Sequence, residues 1–208
     1  MFEFNNFGVF LTAAILLAIT PGPGIFYVLT RSINGGRTEG VVSTAGTTVG
    51  GLFHVVAAGL GISAILATSA VAFSVVKYAG AAYLVFLGLR ALLQQSHVDT
   101  PGESANAGNG SIFKEGVITE ALNPKTALFF LAFIPQFVNP TGLVFAQFVI
   151  LGCISVLLNS SADLVVAFTA GPLSYKFLST PQLQQGRRYV SGLSFVALGM
   201  YIAAKESN

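Results

Sequence analysis

The chain has 208 residues, of which 53% are hydrophobic and only 9% charged, with ten basic residues against eight acidic ones. Soluble domains carry roughly 25% charged residues, so this composition, with a mean hydropathy of +0.75, leaves too little polar surface for a water-soluble fold. The net charge of +2 is scattered and forms no basic patch for nucleic acid. One cysteine, Cys153, excludes an internal disulfide and a CxxC redox or metal pair.

The opening MFEFNNFGVF has no Lys or Arg before its apolar run, so it is expected to be mature structure rather than a cleaved signal. Windows of ~20 apolar residues mark transmembrane helices. Six are predicted: Phe7–Thr30, Val41–Thr68, Val71–Leu93, Phe113–Phe137, Leu143–Ala170 and Tyr189–Ala204.

The first span is interrupted halfway by ITPGPG, Ile19 to Gly24. Proline has no amide donor, and its ring clashes with the carbonyl four residues back. Pro21 and Pro23 should therefore free the carbonyls of Leu17 and Ile19. The second span carries Gly46 and Gly50, a GxxxG read as close helix packing. Its GLGISA (Gly59 to Ala64) fits a dinucleotide pattern only by chance, since no strand precedes it. After the third span, Gln94 to Ser111 reads QQSHVDTPGESANAGNGS, a polar linker. It separates a first three-helix unit, residues 1–93, from a second, residues 112–208. The fourth span is interrupted by ALNPK, Ala121 to Lys125, where Pro124 should free the carbonyl of Glu120. The fifth holds a polar run, Asn159-Ser160-Ser161, closed by Asp163.

The two halves resemble each other. KYAGAAYLVFLGLRA (Lys77 to Ala91) aligns without gaps on RYVSGLSFVALGMYI (Arg188 to Ile202), and each half has its proline break in its first span. Three spans per half is an odd number, so the halves insert in opposite senses. Such inverted repeats with paired broken helices are the plan of many transporters, with the site at the repeat interface near the midplane. The fold class expected is an all-α integral membrane protein of six spans in two inverted three-helix repeats. Arg31, Arg37, Arg90, Lys114, Lys176, Arg187 and Arg188 fall on loops one, three and five, against Lys77 and Lys205 opposite. That asymmetry puts both termini outside the cytoplasm.

Ionisable groups cost at least ~2.5 kcal/mol at the bilayer centre, which makes His54, Glu120, Lys125 and Asp163 functional candidates. Glu120 and Lys125 are open to a second reading, a pair with each other; Asp163 could instead pair with Lys125 or His54. The half-helix after Pro21-Gly22-Pro23-Gly24 should aim free amides at a substrate carboxylate. The carbonyls of Leu17, Ile19 and Glu120, with Asp163, could receive an ammonium, and Asn123 could serve either group. Pro124, Lys125 and Asn159 complete the substrate-binding candidates. A zwitterion fits such a site, and an amino acid is the simplest one.

At PGPG and NPK the chain resembles the LysE/RhtB family of amino-acid exporters, over roughly Phe7 to Ala204. Pro21, Gly22 and Pro23 match its PGP; Asn123, Pro124 and Lys125, followed by FFLAFIPQF (Phe129 to Phe137), match its NPK and PxF; GAAYLVFLGLRAL (Gly80 to Leu92) is similar to its third helix. His54 and Asp163 fall where members often carry such residues. Two positions depart: Gly24 stands where Asn is frequent, and Glu120 where a neutral residue is common. The resemblance implies export of an amino acid or related metabolite across the cytoplasmic membrane, driven by inward proton flow, with no cofactor. Each charge moved down the potential yields about 2.3 kcal/mol per 100 mV. Asp163, with His54, is then the expected proton carrier and Glu120 the second choice. Expected partners are the small-molecule substrate, protons and membrane lipid; a homodimer stays open. The competing reading is a metal-cation exporter, for which Glu120 and Asp163 would suit a hard ion; two histidines and one cysteine make a poor soft-ligand set.

Overall fold

The predicted fifth span is recovered within one residue at each end, the second lies within a longer helix, and the fourth coincides with a bent helix pair. The computed structural model describes residues 4–20, 22–68, 108–139 and 142–169, with helical positions scattered through 71–93 and 189–204. Along the chain run α1 (Phe4–Ile19), α2 (Pro23–Thr68), α3 (Asn109–Ala121) and α4 (Pro124–Leu128). A π-helical turn (Phe129–Phe133), a 3-10 turn (Ile134–Phe137) and α5 (Val144–Thr169) follow, with no strand among the described residues. α2, over Pro23–Gly61, and α5 are long and apolar enough to cross a membrane. The pair Asn109–Ala121 and Pro124–Phe137, bent by 43°, adds a third crossing if it is one span. The predicted third and sixth spans, and the internal match they carry, lie outside the described residues except at those scattered positions.

α2 is two arms. Gly36 has φ 72° and ψ −165°, a left-handed geometry that glycine adopts without steric cost. A continuous helix would carry residues 32 and 40 about 12 Å apart along its axis. Instead, a Cβ at Gly40 would collide with the Ser32 hydroxyl, so the chain folds back at Gly36. The expected connection between the first two spans thus shrinks to one glycine, with helix on both sides. α3 likewise begins at Asn109, inside the polar stretch read as linker.

The interior holds many polar side chains beside its apolar core, and large apolar side chains are exposed. Among the buried residues are Thr20, Ser43, Thr44, Thr47, Glu120, Asn123, Lys125, Thr126, Ser155 and Asp163, while Phe53, Leu60, Leu157 and Val165 are exposed. Buried polar groups beneath an apolar exterior suit lipid, where backbone and polar groups must be satisfied internally. Helices α2 and α3 meet backbone to backbone. A Cβ at Gly50 would lie 2.6 Å from the Val117 carbonyl, and one at Gly116 would lie 2.9 Å from that of Ser43; Gly46 is as tightly placed against Phe113. Glycine is what permits this approach. α1 packs against α5, around a core of Phe10, Phe129, Phe130, Phe133 and Phe148. Pro135, lacking an amide and crowding the carbonyl of Leu131, accounts for the change from π to 3-10 geometry there.

Candidate functional site

The two breaks bond to each other. At the first, Thr20 N closes α1 on the carbonyls of Leu16 and Leu17. Pro23 then opens α2 as its first residue, where the missing amide is no loss. Lys125 reaches across from the second break, and its Nζ donates to the carbonyl oxygens of Leu17 at 3.1 Å and Thr20 at 2.9 Å. A cation at a helix C-terminus offsets the negative end of the dipole. Gly22 leaves room for that side chain: a Cβ there would stand 3.1 Å from Lys125 Cε. Pro21 lies outside the described residues.

At the second break, Asn123 caps α4. Its Oδ1 accepts from Lys125 N at 3.0 Å, and Pro124 takes the first helical position. The amide's other end, Nδ2, donates to Glu120 Oε2 at 2.9 Å, and Thr126 Oγ1 donates to Oε1 at 2.6 Å. Both Glu120 oxygens accept a hydrogen bond. A Cβ at Gly24 would collide with Oε2, so the carboxylate lies against the first turn of α2, at the positive end of its dipole. Glu120 and Lys125, 1% and 7% exposed, do not form an ion pair with each other; each charge is matched to a half-helix end. The carbonyl that Pro124 frees on Glu120 is also occupied. It accepts from Asn123 N at 3.0 Å and lies 2.9 Å from His54 Nε2. A carbonyl only accepts, so Nε2 is the protonated ring nitrogen. The His54 ring rests against Phe130, centroids 5.9 Å apart.

On α5, residues 156, 159, 160 and 163 share one face, at helical spacing. Asp163 is 1% exposed; its Oδ2 accepts from Thr47 Oγ1 at 2.8 Å, and its Oδ1 has no hydrogen-bond partner in the protein. Thr47 Oγ1 is also 3.0 Å from the Thr44 carbonyl. One hydroxyl hydrogen serves only one of these acceptors at a time. Next to it, the Thr48 and Ser160 hydroxyls are 2.6 Å apart. His54, seven residues along α2 from Thr47, is roughly 10 Å further along the axis and is bonded to Glu120 rather than Asp163.

Between these elements is a small cavity, with room for about one water molecule, bounded by Leu17, Thr47, Glu120, Thr126, Asn159 and Ser160 among others. It touches the end of α1, the second arm of α2, both sides of the second break, and α5. Glu120 is the one charged residue in its lining; Lys125, His54 and Asp163 stand outside that lining. Thr47 and Thr48 went unread in the sequence, although STAGTT in the second span is the same signal as Asn159-Ser160-Ser161 in the fifth. A second cluster was also missed. Arg31 contacts Glu115 and, at 3.8 Å, Glu39, and Tyr27 donates to the Ile112 carbonyl at 2.7 Å. Read singly, these charges look like ordinary loop residues.

The sequence model of the family described as LysE type translocator matches residues 15–206. The chain is 32% identical over 178 residues to a homoserine/homoserine lactone efflux protein of Salmonella typhimurium, covering 82% of this chain and 86% of that one. It is 27% identical over 198 residues to an uncharacterized membrane protein of Vibrio cholerae, covering 95% and 96% respectively. With an uncharacterized membrane protein of Bacillus subtilis it shares 29% over 202 residues, covering 92% and 95%. No solved structure matches the chain.

Proposed function

This chain belongs to the LysE type translocator family, and on that premise we propose that it exports amino acids or related small metabolites across the cytoplasmic membrane in exchange for protons. The homoserine and homoserine lactone efflux named for the Salmonella relative is of this kind. The observation that carries the reading is the cavity at the meeting of the two interrupted helices, where Glu120, Asn159 and hydroxyl groups stand beside Leu17, Phe130 and Val156, inside a fold whose outer face is apolar. Gly22, Pro23, Gly24, Asn123, Pro124 and Lys125 shape the breaks that bound it; Asn159, Ser160 and Thr126 offer hydroxyl and amide groups to a substrate.

Asp163 is the proton carrier in this account. Its Oδ1, which no protein donor serves, is the oxygen that takes the proton. Thr47 Oγ1, within reach of both Oδ2 and the Thr44 carbonyl, is placed to hold the Asp163 side chain in either protonation state. His54 and Glu120 are second to it: His54 is committed to a backbone carbonyl and Glu120 to Asn123 and Thr126.

The full architecture in this reading is six spans as two inverted repeats, with both termini outside the cytoplasm. The contact of Arg31 with both Glu39 and Glu115 supports the topology, because it joins the two sides of the turn at Gly36 to the start of the second half, as expected when two whole spans, the second and third, lie between them. A metal cargo is the weaker reading. A single carboxylate lines the cavity, and among the described residues no three His, Cys, Asp or Glu side chains gather. The test is efflux from cells expressing the chain, with panels of amino compounds and divalent metals. Accelerated loss of an amino compound, abolished by a protonophore, is expected; accelerated loss of metals alone would overturn the reading.

A further inference from the structure

The cavity has an unequal charge balance. At the breaks, the two groups that would attract a substrate carboxylate are already in use. The N-terminal turn of α2 has the Glu120 carboxylate against it, and that of α4 is capped by Asn123. The Lys125 ammonium, the nearest fixed cation, donates to the carbonyls of Leu17 and Thr20 and does not line the cavity. What remains facing the space is Glu120, whose two oxygens each accept one hydrogen bond from a neutral donor. A carboxylate accepts about four hydrogen bonds, so each oxygen keeps capacity for another donor. A buried carboxylate without a direct ion-pair partner is costly and is relieved by a cation that can also donate. Around it, Thr47, Thr126, Ser155 and Ser160 present hydroxyl oxygens whose hydrogens have acceptors within the protein, and Asn159 presents an amide, beside Leu17, Phe130 and Val156; the oxygens can accept from a substrate hydroxyl, and the amide can donate to an ester.

We infer that Glu120 is the substrate's ammonium receptor, and that the preferred cargo is a small hydroxylated or esterified amine carrying a positive charge and no free carboxylate. This deepens, and rests on, the reading of the cavity as an export site. A zwitterion entering here sets its carboxylate against Glu120 with no free donor of opposite charge to receive it. A monocationic amine meets one complementary charge and several neutral hydrogen-bonding groups. The exchange of one such cation for one proton moves no net charge, so its rate is independent of membrane voltage.

The test uses the full chain in liposomes preloaded with unlabelled compound at equal pH on both sides, set where amines are protonated. The uptake of labelled threoninol is compared with that of labelled threonine, which differs only by the carboxylate, and both are referred to protein-free vesicles. The half-saturating concentration is expected to be at least ten-fold lower for threoninol, a difference that Glu120→Gln removes. Threoninol is also expected to raise the thermal unfolding midpoint of the unaltered chain more than threonine does, which decides the matter if Glu120→Gln fails to fold. Equal or better handling of threonine, or a threoninol preference that survives in a folded Glu120→Gln, overturns the inference and leaves the exporter reading intact. Uptake of neither compound above protein-free vesicles overturns both.

Discussion

Gly24→Ala is the most diagnostic single substitution. In an isolated helix the change is favourable by about 0.5–1 kcal/mol, because alanine loses less backbone entropy than glycine. Here the new methyl collides with Oε2 of Glu120. A free carboxylate would swing aside at little cost, but this one is held by Asn123 Nδ2 at 2.9 Å and Thr126 Oγ1 at 2.6 Å. Moving Oε2 breaks the Asn123 bond, and a hydrogen bond to a charged group contributes about 1.5–3 kcal/mol. The second effect exceeds the first, so a net destabilisation of roughly 1–2 kcal/mol is expected. At about 2–4 °C per kcal/mol for a chain of this size, the unfolding midpoint in detergent should fall by several degrees. The reasoning is specific to the pair: once Glu120→Ala has removed the obstacle, Gly24→Ala should become neutral or stabilising. A coupling of at least ~1 kcal/mol between the two sites is therefore predicted, in the range expected for residues in contact. Additive effects, or a midpoint raised by Gly24→Ala alone, would refute it.

Lys125→Met should leave the Leu17 and Thr20 carbonyls without their donor, at a cost of about 3 kcal/mol for breaking a buried charged arrangement; lower yield and midpoint, with lost export, are expected in a membrane expression assay. Asp163→Asn keeps a side chain able to accept from Thr47 but cannot cycle a proton. Substrate exchange at equal pH should persist while pH-driven accumulation disappears, a split read in the same liposomes. His54→Gln retains a donor for the Glu120 carbonyl and should keep proton-driven export, with a stability loss near 1 kcal/mol at most. Loss of proton drive alone in this variant would make His54 a carrier after all. Gly46→Val sets a branched side chain against the backbone of α3 and should abolish folded protein, as judged by size-exclusion chromatography.

The breaks and the long helices were legible because their signals are local: proline chemistry fixes where a helix must stop, and hydropathy where lipid must be met. Pro23 and Pro124 mark helix starts in the structure, and α5 lies within one residue of its predicted bounds at each end. The destination of the freed carbonyls was not legible. The sequence suggests that Leu17 and Glu120 wait for a substrate ammonium, whereas Lys125 and His54 serve them, over separations of 108 and 66 residues. Pairings of that range depend on how helices cross, which periodicity does not encode. The fit of Gly24 to Glu120 has the same origin. Each residue was singled out alone in the sequence, and their contact is visible only in the structure. Gly36 was unreadable for another reason: Gly35-Gly36 marks a turn, but not that helix continues on either side.

The central claim, proton-coupled export through the cavity, is tested most directly by substrate uptake into liposomes holding the purified chain, with the lumen made acidic. The account predicts accumulation above the level in protein-free vesicles, abolished by nigericin and by Asp163→Asn. Accumulation that is indifferent to the pH gradient, or that survives in Asp163→Asn, would contradict it.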